Sequence, residues 1–416
     1  MTLKHRIRFL LRRIGIFLAI FGPGLITASA DNDAPGIATY SMAGSRYGYG
    51  FLWLLVVVTV GEVVVQEMAA RMGTVTAKGT ADLIRERFGV RTTAFAMAAL
   101  LLANLGTTVA QFAGIASAVE LLGLSRYIGV PLAAVLVSVV VLRGSYRYVE
   151  KVLLALALFS LSYVVSGVAV QPPWGEVLRH TVTPSFRSDP QFIMAVLATI
   201  GTTITPWGIV YMQASVADKG VRPAEYRAIR ADAAVGAAWG NIVSCFIIIC
   251  TAATLFAHGI AVENAEQAAI ALQPVAGEWA RQLFSIGLLG ASLLAASVLP
   301  LSTSYAVCEA FGWERGLDQR GGHAPIFYGL YSGLIVLSAV VVLIPGIPLF
   351  PLMWLSQVLN AVLLPLLLVL VIKLANDRSL MGNWVNSRLQ NVLAWGLTAL
   401  VITITVALVV LPTIAG

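Results

Sequence analysis

The sequence predicts an all-α polytopic membrane protein of eleven transmembrane helices, arranged as two inverted five-helix repeats plus one extra helix. Of its 416 residues, 58% are hydrophobic and only 11% are charged, whereas soluble domains carry about 25% charged residues. Eleven apolar segments are long enough to cross a bilayer, which takes about 20 residues. Two of these segments, five spans apart, are interrupted by glycine and proline. The composition excludes an ordinary soluble enzyme and a disordered chain.

The spans follow from the apolar runs, with boundaries good to a few residues. We predict them at 15–44, 50–71, 93–122, 128–143, 149–170, 191–217, 230–257, 280–310, 325–345, 350–373 and 390–413. The first repeat is then expected over 1–170, the second over 191–373, and the extra helix at 390–413. No small-residue cleavage site follows the basic N-terminal residues, so we expect no cleavable signal peptide.

The distribution of basic residues indicates the orientation. With a cytoplasmic N-terminus, 22 of the 27 Lys and Arg residues fall on the inner side, as the positive-inside rule requires. An odd number of spans then leaves the C-terminus outside. The net charge of +7 therefore follows topology, and no basic patch remains for nucleic acid. We expect a plasma (inner) membrane protein that contacts the lipid bilayer and is monomeric.

Polar residues and helix breakers coincide in the first and sixth spans. The first contains Asp31-Asn-Asp33-Ala-Pro-Gly36, and the sixth contains Gly201-Thr-Thr-Ile-Thr-Pro-Trp-Gly208. Proline removes a backbone donor, and glycine relaxes the backbone. We expect interruptions near 34–36 and 205–208. A matched pair of interrupted helices in two repeats indicates a transporter's binding site; simple proline kinks are the alternative.

The carboxylates of the first span indicate which substrate such a site would take. A carboxylate in the membrane costs at least about 2.5 kcal/mol, so a cation or water must offset it, and hard cations take oxygen ligands. Asp33 is the primary candidate ligand; the alternative is a structural cap on the following half-helix. Asp31 lies about 200° away around a regular helix. It would line the entry cavity, bind the ion directly or through water, or bond a neighbour.

These segments resemble the Nramp (natural resistance-associated macrophage protein) family of proton-coupled importers of divalent transition metals. The family has Asp-Pro-Gly-Asn in helix 1 and Met-Pro-His-Asn in helix 6. The resemblance covers nearly the whole chain, and it also rests on Gly22-Pro-Gly, Ala69–Gly79, Asp82–Phe88, Ser304-Tyr-Ala, Glu309-Ala-Phe and Ser356-Gln-Val. It implies a LeuT-type fold.

The chain departs from the family at the residues that would bind the metal. In an ungapped alignment the family's Asp falls on Asp33 and the Asn of the same motif on Gly36. In helix 6 the Met falls on Thr205, the His on Trp207, and the carbonyl ligand on Thr202. A Met thioether favours soft metals, whereas a roomier site of one carboxylate and hydroxyls suits a partly hydrated Mg²⁺.

The titratable residues of the family's proton route are also replaced. Besides the His, an Asp and a Glu of helix 3 fall near Thr108 and Gln111. The pattern resembles the Nramp-related magnesium transporters (NRMT), described as uncoupled Mg²⁺ and Mn²⁺ importers. The resemblance implies import of Mg²⁺, and also of Mn²⁺, by alternating access without proton coupling. The alternative is a proton-coupled Mn²⁺/Fe²⁺ importer of the conventional type.

Helix 10 supplies two further candidates. The family match at Ser356-Gln-Val implies Gln357 as a site residue, and Asn360 lies three residues later on the same face. The alternative is that these amides hold helices together. No catalytic constellation is found, so we expect no enzyme, and the metal would be a transported substrate with no cofactor.

Three further acidic residues, Glu62, Glu67 and Glu309, also bear on the interpretation. Glu62 either lines an ion or proton pathway or is a satisfied buried acid. Glu67 is expected to form a surface ion pair with Arg71. Glu309 is expected near the inner end of helix 8, where Arg315 is its candidate partner.

Overall fold

The computed structural model describes residues 32–142, 161–314 and 324–415, and these residues are almost entirely helical. The helices are α1 Ala34–Tyr47, α2 Leu52–Thr76, α3 Thr80–Leu121, α4 Arg126–Leu142, α5 Leu161–Ala169, α6 Trp174–Val182, α7 Pro190–Thr203, α8 Pro206–Asp218, α9 Tyr226–Thr254, α10 Ala265–Ile270, α11 Gln273–Ala276, α12 Ala280–Phe311, α13 Pro325–Leu343, α14 Leu349–Ala375, α15 Arg378–Met381 and α16 Arg388–Ala415. Short 3₁₀ turns connect several of them.

Within the described ranges, eight helical segments are long and apolar enough to cross a membrane. They are Ala34–Thr76, Thr80–Leu121, Pro190–Asp218, Pro223–His258, Gln273–Phe311, Pro325–Leu343, Leu349–Ala375 and Arg388–Leu408. Helix α4 is apolar but shorter. The chain is therefore a multi-pass membrane protein. The count of eleven spans and the two repeats stay predictions, since residues 15–31 and most of the predicted fifth span lie outside the described residues.

The outer helices expose apolar side chains rather than polar ones. Leu132 and Val135 of α4, Val336 and Val340 of α13, and Val392 of α16 are all exposed. Contiguous exposed apolar surface marks a membrane or protein contact. Lipid tails are as apolar as these side chains, so the outer faces suit a bilayer.

Glycines allow the helices around the centre to approach closely. A β-carbon at Gly201 of α7 would overlap the backbone carbonyl oxygen of Gln357 on α14. A β-carbon at Gly114 of α3 would overlap the side chain of Ala34, the first residue of α1. Small residues are the usual means of close helix packing in membranes. These two crossings bring α1, α3, α7 and α14 together.

The first predicted interruption differs in position from the structure. Residues 34–36 are not the break, because Ala34, Pro35 and Gly36 form the first turn of α1 and Asp33 caps it. A proline is compatible with the first helical turn, where its missing N–H would have no intrahelical acceptor. In the part of the chain that the structure describes, Asn32 and Asp33 precede α1 and are not helical.

The sixth span breaks slightly earlier than predicted. Only Ile204 and Thr205 separate α7 from α8, and Pro206 to Gly208 already belong to α8. The same reason applies as in α1, since Pro206 occupies the first helical position. The predicted range of 205–208 therefore shifts toward the N-terminus.

Glu67 and Arg71 form an ion pair, but the prediction that it lies on the surface is wrong. The distance between Arg71 Nε and Glu67 Oε1 is 3.2 Å, and the two side chains are only 4% and 5% exposed. Tyr226 of α9 donates to Glu67, and Gln390 of α16 does so at 2.6 Å. Arg71 also donates to the backbone oxygen of Trp384 at 2.7 Å. Residues from distant parts of the chain cover the pair, which α2 alone could not reveal.

The N-terminus of α3 is held at the same end of the molecule. The Glu309 carboxylate lies against Gly79, where a β-carbon would overlap it. Gln213 of α8 donates to the Lys78 backbone oxygen at 3.0 Å and accepts from Thr80 at 2.7 Å. The suggested partner of Glu309, Arg315, lies outside the described residues.

Candidate cation-binding site

Asp33 is buried at the N-terminus of α1, and both of its carboxylate oxygens accept a hydrogen bond. The Gly36 backbone N–H donates to Oδ1 at 2.8 Å, and the Gln111 Nε2 of α3 donates to Oδ2. Asp33 therefore caps α1, which is the structural alternative considered for it. Each carboxylate oxygen has two acceptor positions, so each retains one for a cation or for water.

Among the described residues, the long helices packed against α1 bring no other charge to the depth of Asp33. α3, α7, α9, α12 and α14 all pack against α1. Their facing stretches have no ionisable side chain, and these are 96–119, 190–203, 233–244, 285–304 and 349–372. Nor do the described residues contain a cluster of three or more His, Cys, Asp or Glu that could hold a metal. From the described residues, a cation at Asp33 would therefore meet one carboxylate among neutral oxygens.

The break between α7 and α8 frees a backbone carbonyl. Pro206 has no N–H, so the carbonyl of Thr202 cannot receive the helical hydrogen bond from the residue four positions later. The Thr205 hydroxyl caps α8 by accepting from the Gly208 N–H at 3.3 Å. Thr202 and Thr205 are both buried. The two residues thus offer a carbonyl oxygen and a hydroxyl oxygen, the hard ligand types expected for Mg²⁺.

Gln357 and Asn360 of α14 form a connected amide pair. Asn360 Nδ2 donates to Gln357 Oε1 at 3.0 Å, and Gln357 Nε2 donates to Ser356 Oγ at 2.9 Å. Asn360 also bonds to the Thr107 hydroxyl of α3, at 2.9 Å from its Nδ2. Asn360 therefore joins two helices, as its alternative interpretation holds. Gln357 lies on the same turn whose backbone contacts Gly201, the residue before Thr202.

Contacts between these helices bring most of the candidate residues into one region. Tyr40 of α1 shares a hydrogen bond of 2.9 Å with Thr203 of α7. With the contacts of Gly201, Gln111 and Asn360 described above, α1, α3, α7 and α14 are each tied to two of the others. Gly36 contributes its N–H to Asp33 and has no side chain. Asp31 lies outside the described residues.

Gln111 is the residue whose contact the sequence did not reveal. In the sequence, Gln111 is singled out only because it falls near an acidic residue of the Nramp family's proton route. The one sequence feature that could have drawn attention to Gln111 is that it is a polar amide within the apolar stretch 109–119. Sequence alone could not pair it with Asp33, because the two are 78 positions apart.

Trp207 and Asn32 lie near the site and make packing contacts and hydrogen bonds to neighbouring residues. Trp207 is fully buried and packs at a tilt against Tyr211, with ring centroids 6.1 Å apart. Asn32 bonds to α9, since it donates to the Gly240 backbone oxygen at 3.1 Å and accepts from Ser244 at 3.1 Å. Both residues support packing of the segments that flank the site.

Glu62 is a buried carboxylate on α2. Asn241 of α9 donates to its Oε2 at 2.6 Å. Since Asn241 lies beside the residues that bind Asn32, the network extends from Glu62 toward the start of α1. The pathway interpretation of Glu62 stays a prediction.

A cavity of about 620 Å³ opens toward the C-terminal end of α1. Met42 and Arg46 of α1, Ser117 and Glu120 of α3, and Phe350 of α14 are among the residues that line it. Met42 is nine residues beyond Asp33, or about 13 Å along a helix. The cavity therefore approaches the candidate site from the side that the charge distribution predicts to be external.

A family model described as natural resistance-associated macrophage protein-like (Nramp) matches residues 24–411. The chain belongs to the Nramp family. Among curated relatives, the divalent metal cation transporter MntH of Klebsiella pneumoniae is 26% identical over 395 residues, covering 93% of this chain and 92% of that protein. The MntH protein of Erwinia tasmaniensis is 28% identical over 385 residues, covering 90% of each.

Solved structures establish the fold of this Nramp protein as LeuT-type. The manganese transporter of Eremococcus coleocola has a TM-score of 0.76 at 22% identity, covering 95% of this chain and 86% of that one. MhsT, solved with L-phenylalanine, has a TM-score of 0.58 at 15% identity, covering 93% and 97%. The nucleobase-cation-symport transporter Mhp1 has a TM-score of 0.52 at 17% identity, covering 94% and 90%.

Proposed function

We propose that this Nramp-family protein imports Mg²⁺, and also Mn²⁺, by alternating access and without proton coupling. Transport of a divalent metal cation is the broader part of this proposal. Membership of the family and curated relatives named as divalent metal cation transporters support it. The choice of metal and the absence of coupling rest on this chain's own residues.

The surroundings of Asp33 carry the magnesium proposal. The proposed site combines the Asp33 carboxylate and the Gln111 amide bonded to it with the freed carbonyl of Thr202 and the hydroxyl of Thr205, which stands where the family has a soft Met ligand. Mg²⁺ is a hard ion that keeps several waters and binds through one or two carboxylates. Soft thioether ligands favour other metals. A site of neutral hard oxygens and a single charge suits a partly hydrated Mg²⁺.

The same surroundings support uncoupled transport. Proton carriers in membranes are chains of Asp, Glu and His, and the helix stretches facing Asp33 contain none of these residues. The inside-negative membrane potential would drive a divalent cation inward with about 4.6 kcal/mol at 100 mV. This requires the predicted orientation, with the N-terminus in the cytoplasm and the C-terminus outside.

A second candidate is a proton-coupled Mn²⁺/Fe²⁺ importer, favoured by a manganese transporter among the fold neighbours. Purified protein in proteoliposomes separates the two, with Mg²⁺, Mn²⁺ and pH dyes read inside in parallel. Entry of Mg²⁺ and Mn²⁺ without acidification is the expected result. Mn²⁺ entry with acidification and no Mg²⁺ flux would establish the second candidate instead.

A further inference from the structure

The Asp33 carboxylate is held by donors from two different segments. The Gly36 N–H fixes Oδ1 at 2.8 Å, and the Gln111 side chain of α3 reaches Oδ2. Gln111 is fully buried, and its neighbour Gly114 packs against the start of α1. The carboxylate plane therefore depends on the position of α3 as well as on its own helix.

The amide of Gln111 can face Asp33 in only one way. An ionised carboxylate only accepts hydrogen bonds, so the amide must present its N–H₂ group, and reversal would oppose two oxygens. The amide oxygen Oε1 is then turned away from Oδ2. It is buried, with no hydrogen-bond partner among the described residues. A buried acceptor without a donor is unfavourable unless water satisfies it.

We propose that Gln111 is a positioning residue of the cation site: its amide N–H₂ orients Asp33, and its Oε1 accepts a hydrogen bond from a water of the hydrated ion. This inference rests on the proposed function, because it assumes a cation at Asp33. Partners of a metal ligand commonly set its orientation in this way. A hydrated Mg²⁺ supplies the donor that Oε1 requires, since metal-bound water keeps both hydrogens for bonding.

The neutrality of Gln111 has a second consequence. A Glu at this position would face the Asp33 carboxylate, and two carboxylates that share a site bind a proton between them. Cation binding would then compete with protonation. The facing stretches of α3, α7, α9, α12 and α14 add no ionisable group. Glu62 of α2 is held by Asn241, and Tyr40 of α1 by Thr203.

Two substitutions of Gln111 test the proposal in proteoliposomes and by Mn²⁺ titration of the purified full-length protein. Gln111→Met keeps the size but removes both polar atoms, and we expect the Mg²⁺ KM and the Mn²⁺ Kd to rise about tenfold. Gln111→Glu should make uptake fall steeply as the pH is lowered from about 8 to 6. Thr108→Val, one turn earlier on α3, removes only a bond to its own helix and serves as the matched control.

The outcomes distinguish this inference from the proposed function. If Asp33→Asn abolishes uptake while both Gln111 variants keep the wild-type KM, Kd and pH profile, the role of Gln111 is refuted and the site stands. If Asp33→Asn transports normally, the site itself is wrong. Should Gln111→Met fail to fold, Gln111→Asn decides, because its shorter side chain keeps the amide but cannot reach Asp33; we expect the same rise in KM and Kd, and wild-type values would refute the role of Gln111.

Discussion

Gly201 of α7 lies directly against the backbone carbonyl of Gln357 on α14, with no space for a β-carbon between them. This contact places the turn before Thr202 beside the amide pair of α14. Gly201 and Gln357 are 156 residues apart in sequence (357 − 201), and their helices can approach this closely only because residue 201 has no β-carbon.

Enlarging residue 201 should therefore damage transport. We expect Gly201→Val to force α7 away from α14 and to reduce Mg²⁺ uptake more than tenfold, since interiors do not absorb extra methyl groups without shifting. Gly329→Val on α13 is the control, because a β-carbon there meets no neighbour within 4 Å. Uptake per folded protein, checked by size-exclusion profile, is the measurement. Equal uptake by both variants would contradict the importance of this crossing.

Removing the Asp33 carboxylate should abolish uptake. We expect Asp33→Ala to bind neither Mg²⁺ nor Mn²⁺, because no other ionised group in the facing stretches would attract the cation. Loss of the cap on α1 should cost only about 0.5–2 kcal/mol of stability, so the variant should stay folded. Normal uptake rates in folded Asp33→Ala would remove Asp33 as a ligand.

A soft ligand at position 205 should change the choice of metal. We expect Thr205→Met to shift preference toward Mn²⁺ or Cd²⁺ over Mg²⁺, since a thioether suits softer ions. Thr202→Val is the matched control, because Thr202 is expected to act through its backbone carbonyl. Competition of each ion with Mg²⁺ uptake measures the shift, and unchanged selectivity in Thr205→Met would show that this side chain does not set it.

Breaking the buried ion pair of α2 should destabilise the protein. We expect Arg71→Met to lower the free energy of unfolding by about 3–5 kcal/mol, because Glu67 is left as a buried charge without its cation. The double variant Glu67→Gln with Arg71→Met should recover part of the loss.

An exposed pair provides the comparison. Lys78 and Glu86 lie 2.6 Å apart with side chains 45% and 47% exposed, so Lys78→Met should cost at most about 1 kcal/mol. Thermal unfolding of the detergent-solubilised variants measures both effects. Similar losses for Arg71→Met and Lys78→Met would mean that burial does not strengthen the Glu67–Arg71 pair.

Much of the fold could be predicted from the order of apolar residues. Long apolar runs must be helices in a bilayer, because every backbone polar group there needs a partner within the segment. Pro206 indicated where the sixth span breaks, and Pro35 marked the start of α1. Each proline stands in the first turn of a helix rather than in the non-helical residues before it. A proline therefore locates a helix boundary to within a residue or two. It does not tell whether the non-helical residues come before or after the proline.

Only some residues of the candidate site could be proposed from the sequence, because sequence patterns report local features of the chain. Asp33 became a candidate because a charge beside helix breakers is unusual at membrane depth, whereas Thr202 and Thr205 followed from the resemblance to the Nramp motifs. Their roles as ligands stay predictions. Two other features could not be predicted from the sequence: the burial of the Glu67–Arg71 pair and the contact of Gln111 with Asp33. Each depends on residues that folding brings from elsewhere in the chain.

The sequence by itself determined that the protein spans a membrane repeatedly, near which prolines its first and sixth spans depart from regular helix, and that Asp33 lies in an apolar stretch. Only the tertiary structure decided which neutral groups surround that carboxylate. The physical reason is that apolar runs and proline act locally along the chain, whereas a hydrogen bond such as Gln111 to Asp33 requires two helices to pack at a fixed height. That height is set by close crossings such as those at Gly114 and Gly201.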